Sequence, residues 1–255
     1  MHLIIAEKNL VAERIAAFLA GKQKVHTQRD GAATEYTFGD TVVMGLRGHV
    51  VELDFTKGYS NWRSEEHPPR SLINAGIEKH PTEKKIVALM QKHAKKADRI
   101  TIATDYDTEG ELIGMEAYEL VRAVNQKATV DRARFSAITK DEITKAIADA
   151  KEIDFNLAAG GETRQVIARV WGAALTRFLS IAAHRGSDNI LSVGRVQSPT
   201  LAMIVDRETE IEAFVPEKYW LLSLTATVAG AEIAARHVHG RLTVKAESGR
   251  ELTQK

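Results

Sequence analysis

Arg99-Ile100-Thr101-Ile102-Ala103-Thr104 runs directly into Asp105-Tyr106-Asp107-Thr108-Glu109-Gly110-Glu111. The first six residues are a short run rich in apolar and β-branched side chains, the signature of a buried strand. From Glu109 to Val124 the apolar residues recur at helical spacing, so a strand feeds a helix through an acidic loop. Residues i and i+2 of an extended stretch point the same way, so Asp105 and Asp107 leave the strand on one face, and Glu109 at the following turn can join them. In open parallel sheets ligands collect at the carboxyl ends of strands. Three carboxylates gathered there repel one another unless a cation sits between them. Mg²⁺ suits such an edge, because it takes a few carboxylates together with waters and phosphate oxygens. A calcium loop of the helix-loop-helix type fits less well: Gly110 stands at its sixth position, but the twelfth is Glu116, inside the helix. Thr108 and Glu111 have the spacing of a helix capping box and are assigned to that role.

Outward from this loop the same alternation continues. Residues 2–6 read as a first buried strand, and Asn9 to Leu19 as a helix with Leu10, Val11, Ile15, Ala16 and Leu19 on one stripe. Glu35 to Phe38 and Thr41 to Leu46 are short strands about a Gly39-Asp40 turn. From Gly48 to about Pro81, a stretch containing Tyr59 and Trp62, no periodicity is evident, and it reads as one long loop. A lysine-rich helix spans Thr82 to Lys96, Arg132 to Phe135 form another strand, and the Thr139-Lys140-Asp141-Glu142 capping box opens a helix ending near Ala150. Strands alternating with helices over 1–150 indicate an α/β domain with a mainly parallel sheet flanked by helices. Residues 151–216 are helical: Ala158 to Ala183, a loop containing Gly186, then a helix with Ser198 as N-cap and Pro199 at its first position. Residues 217–255 begin a β-rich unit, with strands at Trp220 to Val228 and Glu232 to Val238 around Ala229-Gly230-Ala231.

Glu7 ends the first strand and in a parallel sheet faces the same edge as Asp105. A carboxylate there can act as general acid or base near a leaving hydroxyl, and Lys8 beside it can hold a phosphate.

Composition narrows the class. In 255 residues, 44% are hydrophobic and 27% charged, which is ordinary for a globular protein and too polar throughout for a twenty-residue membrane span. The chain has no cysteine, so disulfides, thiolate ligands and cysteine nucleophiles are excluded, and any metal must use oxygen or imidazole. A cytoplasmic address fits. The net charge of +1 gives no global pull on nucleic acid. Between Gly160 and Thr200, however, Arg164, Arg169, Arg177, Arg185 and Arg195 face only Glu162 and Asp188, leaving a local charge of +3. All five cations are arginine, whose planar fork donates two hydrogen bonds to a phosphate at once.

These motifs together resemble the type IA DNA topoisomerases. Glu7, Asp105 and Asp107 match the strand-end Glu and Asp-x-Asp of a Toprim domain, continued by Glu109-Gly110-Glu111. Ile4-Ile5-Ala6-Glu7-Lys8 is similar to the opening of the topoisomerase III branch, Gly48-His49-Val50 to the Gly-His-hydrophobic signature, and Phe135-Ser136-Ala137-Ile138-Thr139 to Phe-x-x-Ile-Thr. The most specific likeness is Leu191-Ser192-Val193-Gly194-Arg195-Val196-Gln197-Ser198-Pro199-Thr200, continued by Arg207-Glu208 and Ile211-Glu212-Ala213-Phe214-Val215-Pro216. The resemblance implies a Toprim domain over 1–150, the first part of a helical DNA-binding domain over 151–216, and the first strands of an arched β domain over 217–255. It further implies an enzyme in which a tyrosine breaks one DNA strand through a 5′-phosphotyrosyl link and the break is resealed without ATP. Glu7 would be the acid/base, Lys8 the residue that stabilises the scissile phosphate, and Asp105, Asp107 and Glu109 the Mg²⁺ site. Arg164, Arg169, Arg177, Arg195 and Gln197 would line a groove for single-stranded DNA.

This chain departs from the pattern at two places. Ala168 precedes Arg169 where the family often has Asp, and Ala173 stands where some members place an aromatic; Trp171 is assigned to the core. Tyr36, Tyr59, Tyr106, Tyr118 and Tyr219 all lack the Tyr-x-Arg-Thr-like context of the nucleophile, so the chain is expected to be an N-terminal portion of a longer enzyme. A Toprim nuclease, with water as nucleophile, and a non-catalytic DNA-binding module are the competing readings. The Gly194-Arg195-Val196-Gln197 string argues against the nuclease, which has no use for it; the binding module is expected to keep its DNA affinity when Asp105 and Asp107 become Asn.

Overall fold

The computed structural model describes residues 1–59, 66–185 and 189–242, with side chains omitted over 237–242. Trp62, Gly186 and Asp188 lie outside the described residues. Met1–Arg195 forms one compact unit, and a second begins at Val196.

In the first unit the expected α/β sheet is present. Its strands are β1 (His2–Ala6), β2 (His26–Asp30), β3 (Ala33–Phe38), β4 (Thr41–Gly45), β7 (Arg99–Ala103) and β8 (Thr129–Arg132), in the spatial order β2-β3-β4-β1-β7-β8. β1 is central and pairs in parallel with β4 and β7; β7 pairs in parallel with β8, while β3 runs antiparallel to both β2 and β4. Strand β8 runs over Thr129–Arg132, three residues before the expected Arg132 to Phe135, and only an isolated bridge joins Phe135 to Asp105.

The apolar run of β1 is buried on both faces because helices cover both. Leu3 and Ile5 enter one core with Ile86 and Met90 of α2 (Lys84–Ala94) and Ile113 and Ala117 of α3 (Thr108–Arg122). Ile4 and Ala6 enter the other, with Val11 and Ile15 of α1 (Asn9–Ala20) and Ile143 and Ile147 of α4 (Lys140–Ala148). Alternate side chains of one strand thus knit two helical layers to the sheet. Thr139 caps α4 as expected by accepting from the Glu142 N–H, but the Glu142 carboxylate accepts from the Ser136 and Ala137 N–H groups, so only half of the capping box forms.

The long loop expected over 48–81 is not structureless. It holds two antiparallel strands, β5 (Val51–Phe55) and β6 (Ile77–Pro81), with a 3₁₀ helix at Pro69–Asn74 between them. Helix α5 (Phe155–Ala182) packs on α3 within the same unit: Ala158 clusters with Leu112 and Met115, and Gly161 lies against Leu112 and the Thr108 carbonyl. Asp154 caps α5 by accepting from the Leu157 N–H.

In the second unit α6 (Gln197–Glu212) begins two residues before the expected start, with Val196 rather than Ser198 as N-cap. Pro199 falls in the first turn, where its missing N–H has no intrahelical partner to lose. Strands β9 (Trp220–Val228) and β10 (Ala231–Leu242) form the expected antiparallel pair. Ala229 and Gly230 both have positive φ (49° and 83°), as a two-residue hairpin turn requires.

Candidate active site

The carboxyl ends of β1 and β7 lie side by side, because Ala6 is in register with Ala103. That register brings Glu7 to the acidic loop. Its Oε2 accepts the Asp105 backbone N–H at 3.1 Å. Lys8 Nζ lies 3.9 Å from Glu7 Oε1 and 3.8 Å from Asp105 Oδ2, so one ammonium balances both carboxylates. Gly45 of β4 fixes this corner from the other side: a Cβ there would sit 2.4 Å from the Asn9 Cα and 2.7 Å from the Lys8 carbonyl carbon. An open depression of about 680 Å³ adjoins Glu7 and Lys8 and is also lined by Arg47.

The acidic loop folds back tightly on itself. A Cβ at Gly110 would come within 2.2 Å of the Asp105 carbonyl oxygen, so any larger residue there has to push the Asp105 backbone away. The capping assignment needs correcting. Asp107, not Thr108, is the N-cap of α3, and its Oδ1 accepts the Gly110 N–H at 2.7 Å. Glu111 caps nothing. It is fully buried, receives Arg132 Nε at 3.0 Å and the Asp154 N–H at 2.7 Å, and so ties β8 and the start of α5 to the loop. Arg132 completes the anchor by donating from Nη1 to the Thr104 carbonyl and from Nη2 to the Asp105 carbonyl at 2.8 Å.

Glu109 meets the histidine of the Gly48-His49-Val50 signature. His49 Nε2 lies 2.9 Å from Glu109 Oε1, and His49 Nδ1 lies 2.8 Å from Glu116 Oε1. Glu116 is 4% exposed, and its other oxygen accepts the Val50 N–H at 3.1 Å. The hydrogen bond to Glu116 raises the His49 pKa to about 9, opposed by burial and aided by Glu109, so both ring nitrogens donate at neutral pH. From α5, the Gln165 amide reaches to 3.1 Å from Nε2, and Arg164 Nη2 lies 3.8 Å from Glu109 Oε2. Gly48-His49 marked the position of this cluster; its partners came from residues 60 and more positions away.

The expected metal ligands therefore have three different engagements: Asp105 with Lys8, Asp107 with the α3 N-terminus, and Glu109 with His49 and Arg164. Among the described residues no group of three His, Cys, Asp or Glu side chains is drawn together closely enough to hold an ion. The donor set is nonetheless all carboxylate oxygen, which suits a hard cation. The Lys8 ammonium shows that the Glu7–Asp105 edge already takes a positive charge.

The expected DNA residues separate in the same way. On α5, Arg169 Nη2 donates to Asp54 Oδ1 of β5 at 2.7 Å, so the ion partner that Ala168 cannot supply locally comes from another element. Arg177 is 4% exposed and donates to the Tyr59 carbonyl; its burial pushes its pKa down. It lines a depression together with Asp54, Tyr59 and Arg169. Arg195 is exposed at the end of the first unit, and Gln197, exposed, opens α6 in the second. Trp171, assigned to the core, is 56% exposed. Among the described residues no helix is long and apolar enough to cross a membrane.

Comparison with known proteins assigns two families to the chain. Residues 2–138 match the Toprim domain, and residues 152–254 match the DNA topoisomerase family. The chain is 48% identical over 220 residues to DNA topoisomerase 1 of Archaeoglobus fulgidus, covering 86% of this chain and 33% of that protein. It is 32% identical to DNA topoisomerase 3 of Schizosaccharomyces pombe, covering 86% and 38% respectively. Full-length topoisomerase I of Thermotoga maritima superposes with a TM-score of 0.62 at 25% identity, over 96% of this chain and 36% of that one. The chain thus spans about a third of the length of these relatives. Matched by a Toprim domain over its first half and a topoisomerase domain over much of its second, the chain belongs to the type IA DNA topoisomerases.

Proposed function

We propose that this chain supplies the Mg²⁺ site and part of the single-strand groove of an enzyme that breaks and reseals one DNA strand through a 5′-phosphotyrosyl intermediate without ATP. The reading rests above all on the Glu7–Lys8–Asp105 cluster at the carboxyl edge of the parallel sheet. Lys8, half exposed and beside the open depression, binds the scissile phosphate. Glu7, oriented by the Asp105 N–H through one oxygen, exchanges a proton with the sugar hydroxyl through the other. Asp105, Asp107 and Glu109 would hold Mg²⁺, and Glu109 is also within reach of His49 and Arg164. When bound, the ion adds positive charge next to the phosphate oxygens. Arg164, Arg169, Arg195 and Gln197 track phosphates of the single strand, and Arg177 shapes the groove wall. The nucleophilic tyrosine belongs to a part of the enzyme other than the segments described, and the protein works in the cytoplasm on DNA.

The test is to assay the purified chain with Mg²⁺ on supercoiled plasmid and on a labelled single strand. Weak single-strand binding without relaxation is expected. Relaxation by this chain alone would contradict the division of labour, and Mg²⁺-dependent release of short fragments without a covalent adduct would indicate a hydrolytic nuclease instead.

A further inference from the structure

Between β5 with the turn that follows it and helix α5 lies a groove of about 800 Å³. Its lining brings together Asp54, Lys57, Tyr59, Glu78, Arg169 and Arg177. Cations and an aromatic ring in one channel suit a sugar-phosphate strand with its bases stacked. The two carboxylates do not suit it, and Asp54 stands opposite Glu78 in the β5–β6 register. Glu78 lies 3.4 Å from His80 Nε2 of its own strand. Asp54 engages a groove arginine. Its Oδ1 accepts both its neighbour Phe55's N–H, at 2.8 Å, and Arg169 Nη2, at 2.7 Å. The first bond holds the carboxylate in place, the second takes the guanidinium, and Phe55 lies under that guanidinium at 5.8 Å.

We propose that Asp54 sets the affinity of this groove for single-stranded DNA by occupying Arg169 until a backbone phosphate replaces it. The proposal rests on the reading of the α5 groove as a DNA-strand site. Exchange is easy because both partners are exposed, 55% and 42%, and exposed ion pairs hold weakly. A phosphate offers the guanidinium the same charge-assisted hydrogen bonds in a paired geometry. Arg169 also holds the Asp54 carboxyl below its usual range, aided by the Phe55 N–H, so the competitor is ionised wherever DNA binding would be measured.

The experiment is fluorescence anisotropy of a labelled oligothymidylate against the wild-type chain, Asp54→Asn, Asp54→Ala, Arg169→Ala and the Asp54→Asn/Arg169→Ala double variant over a range of salt. Asp54→Asn should bind about two- to fivefold more tightly, the worth of one exposed ion pair. Its log–log salt slope should differ from wild type by less than about 0.7, the worth of one phosphate on a single strand, because Arg169 meets the same phosphate in both proteins. Asp54→Ala should shift binding in the same direction, Arg169→Ala should weaken it, and the double variant should match Arg169→Ala. Unchanged or weaker binding by both Asp54 variants, or a gain that survives without Arg169, overturns the proposal while leaving the groove a DNA site. Wild-type binding that is absent at low salt, or indifferent to Arg169→Ala, overturns the groove reading itself and the proposal with it.

Discussion

Arg132–Glu111 and Arg169–Asp54 are the same chemistry in two settings. The first pair is fully buried, with guanidinium and carboxylate each holding further backbone groups: the Thr104 and Asp105 carbonyls on one side and the Asp154 N–H on the other. The second lies open on the groove, its partners supplied by β5 and α5. A buried pair is costly to break because the survivor is left charged and unsolvated, whereas an exposed one returns to water. Burial thus turns one salt link into an anchor for the acidic loop and leaves the other free to exchange with a ligand.

The sharpest way to break this contrast is Glu111→Ala, which strands Arg132 in the interior. We expect a loss of about 3–5 kcal/mol in urea unfolding; a loss no greater than that of an average surface substitution would show that the buried pair anchors nothing. Between the extremes stands His49, partly exposed and held by one buried and one exposed carboxylate. Its pKa is raised, chiefly by Glu116, from 6.5 to about 9. A raised pKa means that the folded state holds the proton more tightly than the unfolded one, so this stabilisation is complete below about pH 6.5 and disappears as pH rises through about 9. Wild-type stability should therefore fall over that window more steeply than that of His49→Gln, and parallel curves would argue against the paired imidazolium. The smallest effect belongs to Asp54→Asn, whose unfolding free energy should stay within about 0.5 kcal/mol of wild type. A larger loss would make Asp54 a structural residue rather than an exchangeable partner.

The sheet was legible because β1 and β7 are short runs rich in apolar and β-branched residues that feed two separate cores. Parallel-sheet logic then sufficed to place Glu7 beside Asp105. Glu111 was misread because Thr108-x-x-Glu111 satisfies a local capping pattern, while its true partner, Arg132, is 21 residues further along on strand β8. Glu116, which marked only a failed calcium spacing, proves to be the buried seat of His49. Strand β5 did carry alternation, with Val51, Leu53 and Phe55 separated by Glu52 and Asp54, but β6 offers only Ile77 as an apolar signal among polar neighbours. Its pairing therefore could not be inferred, and the Asp54–Arg169 contact across the groove went with it. The compact unit runs to Arg195 because α5 packs on α3, whereas the family boundaries fall between residues 138 and 152. Packing and ancestry divide this chain at different points.

The central claim is that the carboxyl edge of the sheet holds Mg²⁺ through Asp105. Calorimetric titration of Mg²⁺ into the wild-type chain and into Asp105→Asn, with folding verified for both, tests it most directly. We expect a measurable binding isotherm for wild type and affinity weaker by at least about tenfold, roughly 1.4 kcal/mol, for Asp105→Asn. Equal isotherms for the two proteins would contradict the assignment.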